Sequence, residues 1–576
     1  MKVQVSDIIA QTLVAANVKR AYGMIGYGVD VLMDSLAQTD IRFISVTNEE
    51  AAGFAAGADA QYSGCLGLCL GSTGAGVVHY LNGLYDAHRN GSPVLFIASQ
   101  VKQNEIGLNA AQEVDIRTIF TPCSCFCEAV QTPEQLPLIL GLAMQTAFMK
   151  RGVSVVIIPE DMMSMETEFD KPRYIPHISK SIIMPSHDEI VDMATMINAA
   201  NKIVIFGGKG CEGAHDKVMT LARKIKAPVG WAYRGKHLLD YDNPYPIGMN
   251  GLLGDKSCLE AIHECDLLLL LGTDFAFSAF YPDHCKIIQI DIDGANLGRR
   301  HWIDYGAIGS IEDSLDELTH WILEKDDDSF ARKAAKSYAD VEKHLAKLTV
   351  QNNESKHHIY PEYLSGVLNR TIDKEAFVVA DIGTPWAYMA KYIQSHGTRK
   401  LYHSCLHGTM ANALSSAIGL QAAFPDNQVV AMCGDGGFTM LMGDVLTLVK
   451  EQLPVKIVIF NNGRLDFVAL EMKTSGLIDY ATDLCDTNFA AFAEAVGIKG
   501  IRVEQPGNLQ QAIEEAFAHE GPVIVDVVVN PDSLLMPPEI TIDMMRNFSE
   551  YIWKAFVSGE KKTLKEMLEV NLPRQL

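Results

Sequence analysis

The chain carries the same order of structural signals at the end of its first third and at the end of its last third. Residues 132–161 (TPEQLPLILGLAMQTAFMKRGVSVVIIPED) and 505–532 (QPGNLQQAIEEAFAHEGPVIVDVVVNPD) both combine a proline-initiated helix, a glycine turn and a β-branched strand. The first strand ends at Pro-Glu-Asp and the second ends at Pro-Asp. Strands that alternate with helices predict parallel α/β sheets. We therefore expect two copies of one α/β domain type.

Two proline-containing segments, residues 170–186 and 349–363, divide the chain into thirds. The middle third is also α/β, and its segment KIVIFGGKGCEGAHDKVMTLARKIKAPV predicts a strand, a glycine loop, a helix and a strand. Its glycines fit G-x-G-x-x-G, but no acidic residue follows near position 230, which argues against ordinary NAD binding. The predicted fold is α/β, with three doubly wound parallel-sheet domains at 1–180, 186–345 and 360–540 and a tail at 541–576.

Composition excludes several classes of function. The formal net charge of −23 argues against binding to nucleic acid, and no apolar run approaches the roughly 20 residues that a membrane span needs. The N-terminal residues read as part of a domain and not as a signal peptide. The 12 cysteines stand mostly in apolar context, as expected of reduced thiols, and we favour a short extended segment over a metal site for CSCFC at 123–127. We expect a cytoplasmic protein.

The stretch GDGGFTMLMG, residues 434–443, presents one aspartate between glycines after an apolar strand at 428–433. The next strand, 455–460, is followed by Asn461 and Asn462, and one helix is expected between the two strands. Both strands end at the same sheet edge in a right-handed βαβ unit, so Asp435 and Asn462 can meet there. Carboxylate, amide and carbonyl oxygens suit Mg²⁺ or Ca²⁺, and Mg²⁺ in such a partial shell implies a phosphorylated ligand. Glycines allow close approach of that anion.

The spacing between GDGG and NN resembles the signature of thiamine diphosphate enzymes. Further stretches, including AAGFAAGADAQ, NGLYDAHRN, HGTMANAL and VVAMCGDGGFTMLMGD, resemble the thiamine diphosphate-dependent pyruvate oxidase family, particularly its quinone-reducing branch. The similarity covers nearly the whole chain. It implies an N-terminal pyrimidine-binding domain, a central FAD-binding domain and a C-terminal domain that binds diphosphate and magnesium.

Several residue roles follow from this resemblance. Mg²⁺ would take the Asp435 carboxylate, the Asn462 side chain and the Arg464 backbone oxygen, and Met410 would support a bent thiamine diphosphate. The thiamine diphosphate contacts that the resemblance implies are Gly408, Thr409, Met410, Gly434, Asp435, Gly436, Gly437, Asn462 and Leu465.

The resemblance also implies the catalytic residues. Glu49 stands where the family has its cofactor-activating glutamate, although an isolated Glu-Glu pair at a helix start would otherwise be read as charge that complements the helix dipole. Gln112 lies in the substrate pocket, Phe467 matches an aromatic between thiamine and flavin, and Glu471 is on the same segment. In this family the glutamate serves a cofactor held by another chain, so we expect a homodimer or homotetramer.

The middle third resembles the flavin-binding domain of the same enzymes. The implied FAD contacts are Gly251, Leu252, Leu253, Gly254, Thr273, Asp274, Phe275, Ala276, Phe277, Ser278, Asp291 and Ile292. Each stretch by itself is also compatible with an ordinary α/β loop.

The tail has a different character from the rest of the chain. From Lys554 onward the sequence has five Lys or Arg residues and three Glu residues, a net charge of +2. Four apolar residues of this segment fall at helical spacing: Leu564, Met567, Leu568 and Leu572. An amphipathic, slightly basic helix suits a membrane surface, whereas a helix docked on its own domain fits the pattern equally well. The resemblance favours conditional, peripheral attachment to the inner face of the cell membrane.

The expected reaction is oxidative decarboxylation of a small 2-oxo acid, pyruvate, to acetate and CO2, with electrons passed through FAD to a quinone. The alternatives are an oxygen- and phosphate-dependent pyruvate oxidase, a non-redox carboligase resembling acetolactate synthase with structural FAD, and a catalytically silent homologue. Substrate identity stays open because the pocket departs from the family pattern at five positions: Tyr27, Thr47, Asn48, Ala111 and Asp466.

Overall fold

The computed structural model describes residues 2–179, 181–350 and 358–533, with the isolated positions 535, 550–552, 554 and 571. Within these residues, three six-stranded sheets follow one another along the chain, and every strand pair inside them is parallel. The α/β class with three parallel sheets that the sequence predicts is confirmed.

The first third forms one sheet of order β3-β2-β4-β5-β7-β6 and a small antiparallel pair of β1 with β8. Its strands are β1 (Lys2–Gln4), β2 (Arg20–Gly23), β3 (Arg42–Ser45), β4 (Gly67–Gly71), β5 (Val94–Gln100), β6 (Phe126–Ala129), β7 (Val153–Pro159) and β8 (Glu166–Glu168). Its helices are α1 (Val5–Ala15), α2 (Asp30–Leu36), α3 (Glu49–Ser63), α4 (Ala75–His79), α5 (Leu81–Asn90), α6 (Ile116–Phe120) and α7 (Leu136–Lys150).

The middle third forms a sheet of order β11-β10-β9-β12-β13-β14, which is 3-2-1-4-5-6 in chain order within the domain. Its strands are β9 (Ile203–Gly207), β10 (Val229–Trp231), β11 (Pro246–Met249), β12 (Leu267–Leu271), β13 (Lys286–Asp291) and β14 (Tyr305–Ile308). Its helices are α8 (His187–Ala199), α9 (His215–Ile225), α10 (Lys236–Leu239), α11 (Lys256–Glu264), α12 (Ile311–Trp321) and α13 (Ser329–Leu348). This strand order is the one that binds dinucleotides where the order reverses, here between β9 and β12.

The last third forms a sheet of order β16-β15-β17-β18-β20-β19. Its strands are β15 (Phe377–Ala380), β16 (Lys400–His403), β17 (Val429–Gly434), β18 (Lys456–Asn461), β19 (Lys499–Val503) and β20 (Val523–Val528). Its helices are α14 (Pro361–Thr371), α15 (Thr384–Tyr392), α16 (Asn412–Ala423), α17 (Asp435–Leu441), α18 (Val445–Glu451), α19 (Asp466–Thr474), α20 (Phe489–Ala495) and α21 (Pro506–Ala518).

The first and last sheets have the same strand order, 2-1-3-4-6-5 counted within each sheet. Both also end in the helix and strand that the two matching segments predict, α7 with β7 and α21 with β20. The prediction of two copies of one domain type is therefore confirmed.

The prediction of one helix between β17 and β18 is wrong in detail, because Met442–Asp444 forms a 3-10 turn that separates α17 from α18. The apolar stripe on these two helices, Leu441, Val445 and Leu448, is still buried.

Helices α3 and α16 join the first and last thirds within one chain. Both are rich in small residues, and a Cβ added to Gly419 of α16 would fall 2.0 Å from the carbonyl oxygen of Ala55 in α3. One continuous apolar cluster contains residues of both sheets, so the two domains share a core. Glycine at position 419 allows the backbones to approach closely enough for this packing.

The predicted amphipathic tail lies mostly outside the described residues, and Leu564, Met567, Leu568 and Leu572 are all outside them. Of its described residues, Lys554 donates from Nζ to the carbonyl of Gly476, and Asn571 donates from Nδ2 to the carbonyl of Asp532. Among the residues that the structure describes, no helix is both long and apolar enough to cross a membrane.

Candidate active site

Asp435 begins α17 at the carboxyl end of β17, where it receives three backbone hydrogen bonds. Its Oδ2 accepts from the N–H groups of Asn462 at 3.1 Å and Gly463 at 2.6 Å, and its Oδ1 accepts from Gly436 at 2.8 Å. The sheet register pairs Gly434 with Phe460, which brings the ends of β17 and β18 side by side. Asp435 and Asn462 are therefore neighbours at one sheet edge. Burial raises the pKa of the Asp435 carboxyl, and these backbone donors oppose that rise.

The backbone around Arg464 places a third oxygen beside these two residues. Arg464 and Asp483 lie opposite each other in an isolated antiparallel bridge. The hydrogen bonds of this bridge are made by their neighbours: the N–H of Leu465 donates to the carbonyl of Thr482, and the N–H of Leu484 donates to the carbonyl of Gly463. In such an antiparallel pair the N–H and C=O of the central residue point away from the partner strand. The Arg464 N–H donates to Asn462 Oδ1 at 3.2 Å, and its carbonyl points to the same side.

These three groups form a donor set of hard oxygen ligands. A carboxylate, an amide oxygen and a backbone carbonyl suit Mg²⁺, which completes its shell with phosphate oxygens and water. Among the described residues, no group of three or more His, Cys, Asp or Glu side chains could hold a metal ion. The residues present therefore fit a magnesium-bridged diphosphate.

The glycines of GDGG leave room for neighbouring side chains. A Cβ at Gly436 would lie 2.8 Å from Cδ2 of Leu465 and 3.4 Å from Cε of Met410, so these apolar groups close over the start of α17. A Cβ at Gly437 would lie 2.1 Å from Oδ2 of Asp381. Burial raises the pKa of Asp381 to about 7, and its Oδ1 accepts from the N–H of Ala413 in α16.

Open space adjoins the site at two further glycines. A Cβ at Gly408, in the segment before α16, or at Gly463 would meet no other heavy atom within 4 Å, and both residues have positive φ, 76° and 67°. A ligand can therefore approach the backbone at both positions. Together with the oxygen donors and the Met410 side chain, these glycines form a cradle for an anion with an attached ring system.

Glu49 lies in the first sheet domain at the start of α3. Its side chain is 8% exposed, and its Oε2 lies 2.9 Å from Nδ1 of His79, whose side chain is 56% exposed. A carboxylate buried in this way differs from a solvated charge placed only to complement a helix dipole. Gln112 is exposed, has φ 67° and lies against Gly74. Gly74 is close in sequence to Gly76, and a Cβ added to Gly76 would be 3.0 Å from Glu49 Oε1.

Contacts from the first domain reach the cradle within the same chain. Asn82 Nδ2 donates to Glu50 Oε1 at 2.7 Å and to Thr409 Oγ1 at 3.0 Å. The N–H of Thr47 donates to Asp444 Oδ1 at 2.8 Å. Asp444 follows the C-terminal end of α17, whereas Asp435 begins this helix. Of the remaining predicted catalytic residues, Phe467 is half-buried and Glu471 is exposed, both on α19.

The predicted FAD contacts lie on the middle sheet, apart from this cradle. Gly251 to Gly254 follow β11, Thr273 to Ser278 follow β12, and Asp291 and Ile292 stand at the end of β13, so all lie at the carboxyl ends of the strands. Leu252, Ala276, Ser278 and Ile292 are exposed there, Leu253 and Phe275 are buried, and Phe277 is partly buried. Asp274 pairs with Arg299 and Arg300, and Asp291 Oδ1 accepts from Asn296 Nδ2 at 3.0 Å.

The loops at the reversal point of the middle sheet lie close together. A Cβ at Gly208 would fall 2.6 Å from Cβ of Thr273, so the loops after β9 and β12 approach closely at the point where the strand order reverses. Ligands of open α/β sheets bind at such a point. The exposed residues named above surround it.

Sequence reasoning missed three polar residues that connect the site. His79 contacts Glu49, Asn82 joins Glu50 to Thr409, and Asp381 caps α16 beneath Gly437. His79 and Asn82 stand three residues apart in an otherwise largely apolar stretch, VVHYLNGL. In a continuous helix that spacing places two side chains on one face, which is the sequence signal for the pair, although His79 ends α4 and Asn82 lies in α5.

The fold and the site define an α/β enzyme with duplicated sheets that binds a diphosphate through a divalent ion. Three family profiles of thiamine pyrophosphate enzymes match the chain: the N-terminal TPP binding domain at residues 3–119, the central domain at 190–318 and the C-terminal TPP binding domain at 381–527. The chain belongs to the thiamine pyrophosphate enzyme family.

Individual relatives extend this similarity over the full length. The chain is 33% identical to the putative thiamine pyrophosphate-containing protein YdaP of Bacillus subtilis, over 94% of each chain. It is 26% identical to pyruvate oxidase of Lactiplantibacillus plantarum, over 93% of this chain and 90% of that one. It is 27% identical to the acetolactate synthase isozyme 2 large subunit of Escherichia coli, over 94% and 99%.

Proposed function

We propose that this protein oxidatively decarboxylates a 2-oxo acid, pyruvate, and passes the two electrons through FAD to a quinone. Pyruvate, water and quinone would give acetate, CO2 and quinol, with two electrons and two protons transferred to the acceptor. The observation that carries the proposal is the joint presence of the Asp435, Asn462 and Arg464 oxygen set and a middle sheet of dinucleotide-binding order. Similarity to a pyruvate oxidase supports it.

The roles of the chain's own residues follow from their positions. Asp435, Asn462 and the Arg464 carbonyl would hold Mg²⁺ and the diphosphate of thiamine diphosphate, and Met410 and Leu465 would shield its ring from water. Glu49 would face the pyrimidine with a carboxylate oxygen and exchange a proton with it there. Bound thiamine diphosphate supplies the electron sink that a 2-oxo acid needs to lose CO2.

The proposal includes assembly into at least a dimer, in which Glu49 serves the cofactor held by a partner chain. It is supported by the exposed side chain of His79, which contacts Glu49 and which a second chain could cover. It also includes conditional attachment of the tail, residues 541–576, to a membrane surface, supported by the net charge of +2 from Lys554 onward. Cosedimentation with anionic lipid vesicles, with and without pyruvate, tests the attachment.

A non-redox carboligase is the second candidate. The observation that favours it is the similarity to acetolactate synthase, which matches that to pyruvate oxidase in identity and covers as much of the chain. In this case FAD would have a structural role, and a second 2-oxo acid would take the place of the electron acceptor.

One experiment separates the candidates. The protein loaded with thiamine diphosphate, Mg²⁺ and FAD is mixed anaerobically with a panel of 2-oxo acids while flavin absorbance and products are followed. We expect pyruvate to bleach the flavin and a quinone analogue to restore its colour, with acetate as product. Acetolactate without bleaching would support the carboligase, and reoxidation only by oxygen with phosphate would support the oxygen-dependent pyruvate oxidase.

A further inference from the structure

Cys265 and Cys285 stand at the entry of two neighbouring strands in the middle sheet. Cys265 follows the end of α11, and Cys285 directly precedes β13. Leu267 of β12 pairs with Lys286 of β13, and the N–H of Lys286 donates to the carbonyl of Asp266 at 3.1 Å. Paired strands lie about 5 Å apart, and both cysteines pack in the same apolar cluster on one side of this sheet, so the two side chains are close to each other.

The two thiols are neighbours in this cluster. The Cys265 thiol lowers the pKa of the Cys285 thiol. Cys265 is 1% exposed and also donates to the carbonyl of Ile262 at 3.1 Å, whereas Cys285 is only partly buried. A reagent in solvent therefore reaches Cys285 first and finds Cys265 immediately behind it, the arrangement of an attacking and a resolving thiol.

The other cysteine cluster of the described chain is built differently. In CSCFC, the Cys123, Cys125 and Cys127 thiols each contact a backbone carbonyl, of Phe120, Val153 and Arg117 respectively. Burial raises the pKa of Cys127 to about 11 and that of Cys123 to about 12, which keeps both as thiols at neutral pH.

We propose that Cys265 and Cys285 form a reversible disulfide when hydrogen peroxide oxidises the protein. The Cys285 thiolate attacks one peroxide oxygen, the O–O bond breaks, and sulfenic acid forms as the first water leaves. The Cys265 sulfur then attacks the Cys285 sulfur, the S–O bond breaks, the S–S bond forms and the second water leaves. Two thiols and one peroxide thus give one disulfide and two waters, and a dithiol reductant reverses the change.

The disulfide would close a loop around the segment that carries proposed flavin contacts. Residues 266–284 lie between the two cysteines and include β12 and the connection after it, with Thr273 to Ser278. The cross-link would join the end of this connection at Cys285 to the entry of β12, at the amino edge of the sheet, and so restrict its movement. The redox state of the pair would therefore change how firmly the connection that carries these residues is anchored. The cysteine chemistry itself does not rest on the proposed function.

Peptide mapping of the intact, full-length protein tests the proposal. The protein is treated with a small excess of hydrogen peroxide, remaining thiols are alkylated, and the protein is digested under non-reducing conditions with chymotrypsin. This protease cleaves between the two cysteines, at Phe275, Phe277 or Phe280, so their peptides separate unless a disulfide joins them. We expect a joined 265–285 peptide pair that dithiothreitol splits, and slower proteolysis of the 272–284 connection in the oxidised, still folded protein.

Variants make the result decisive. Cys485→Ser, which removes an exposed thiol elsewhere, should leave the joined pair unchanged, whereas Cys285→Ser should abolish it and restore the proteolysis rate of the reduced protein. Cys265→Ser should convert the product to a Cys285 sulfenic acid that a dimedone probe labels. A folded wild-type protein in which Cys285 is oxidised to sulfinic acid while Cys265 stays alkylated, or is joined to a different cysteine, would overturn the proposal.

Discussion

The Oδ2 atom of Asp435 lies 2.6 Å from the backbone nitrogen of Gly463, across the gap between the ends of β17 and β18. This hydrogen bond and the one from Asn462 fix the loop that holds the other two oxygen donors before a ligand is present. A metal site whose donors are already in place loses less conformational entropy on binding. In the proposed site the carboxylate therefore has two tasks, to order the loop and to bind the ion.

Asp435→Asn should abolish tight binding of thiamine diphosphate with Mg²⁺. The amide removes the negative charge that a divalent ion requires, and its NH2 group clashes with the N–H donors of Asn462 or Gly463. We expect the apparent Kd for the cofactor, measured by calorimetry, to rise by about 100-fold or more.

Asp483→Asn is the matched control for that change. Asp483 is opposite Arg464 on the neighbouring segment. Its side chain is 89% exposed, and its Oδ1 makes a long ion pair of 3.9 Å with Nε of Arg464. We expect a Kd within about 2-fold of wild type, because exposed ion pairs contribute little. Equal cofactor affinity in Asp435→Asn and wild type would show that the ion is held elsewhere.

Glu49→Gln should separate cofactor binding from activation. The amide has nearly the same size but no longer holds and transfers a proton, so we expect turnover to fall by about 10² to 10⁴-fold while the Kd for thiamine diphosphate changes little. Glu50→Gln tests the adjacent carboxylate, which accepts a hydrogen bond from Asn82, and should retain most of the activity. Single-turnover decarboxylation measured for both variants decides the assignment, since equal losses would point to a structural role.

The sheet architecture could be predicted because it depends on local signals. Apolar strands, glycine turns and the proline at the start of α21 are visible in the sequence, and the repeated helix and strand indicated two similar domains. The break between α17 and α18 could not be predicted, because the stripe Leu441, Val445 and Leu448 continues across it. Periodicity reports which side is buried and not whether the backbone stays α-helical.

The site could be predicted only where one segment supplies the chemistry. Asp435 and Asn462 follow consecutive strands, so topology alone places them together. The Asn82 contact to Thr409 depends on how two separate domains pack, and 327 residues separate the pair in sequence. Close packing of α3 on α16 decides this, and no local pattern encodes its register.

Stability should depend on pH through Asp86. This buried carboxyl accepts hydrogen bonds from Ser404 Oγ at 2.6 Å and from Asn90, and it faces Arg234, yet burial raises its pKa from 3.8 to about 7. The folded protein therefore binds this proton more tightly than the unfolded chain, so the group's effect is to lower stability as pH rises from about 4 to 7. The full loss is at most about 4 kcal/mol.

Asp86→Asn isolates that contribution. The amide keeps a similar shape and does not titrate, so the difference in urea midpoint between pH 5 and pH 7.5 should be smaller than in wild type. Buried Asp381 titrates in the same direction and is present in both proteins, so the comparison cancels it. If the urea midpoint of Asp86→Asn changes between pH 5 and pH 7.5 by as much as that of wild type, Asp86 is ionised at little cost in stability.

The contact between α3 and α16 should tolerate no added atom at Gly419. Because a Cβ would lie 2.0 Å from the Ala55 carbonyl oxygen, Gly419→Ala must push the two helices apart, at a cost of about 1–3 kcal/mol or more. Gly507→Ala is the control, since a Cβ on this exposed residue of α21 meets nothing within 4 Å, and its melting temperature should stay level or rise slightly. Helix α3 begins at Glu49 and α16 begins two residues after Met410, so the shift should also lower turnover more than cofactor affinity. Thermal denaturation and initial rates of both variants check this, and a Gly419→Ala protein as stable and active as Gly507→Ala would show that the two domains are not packed through these helices.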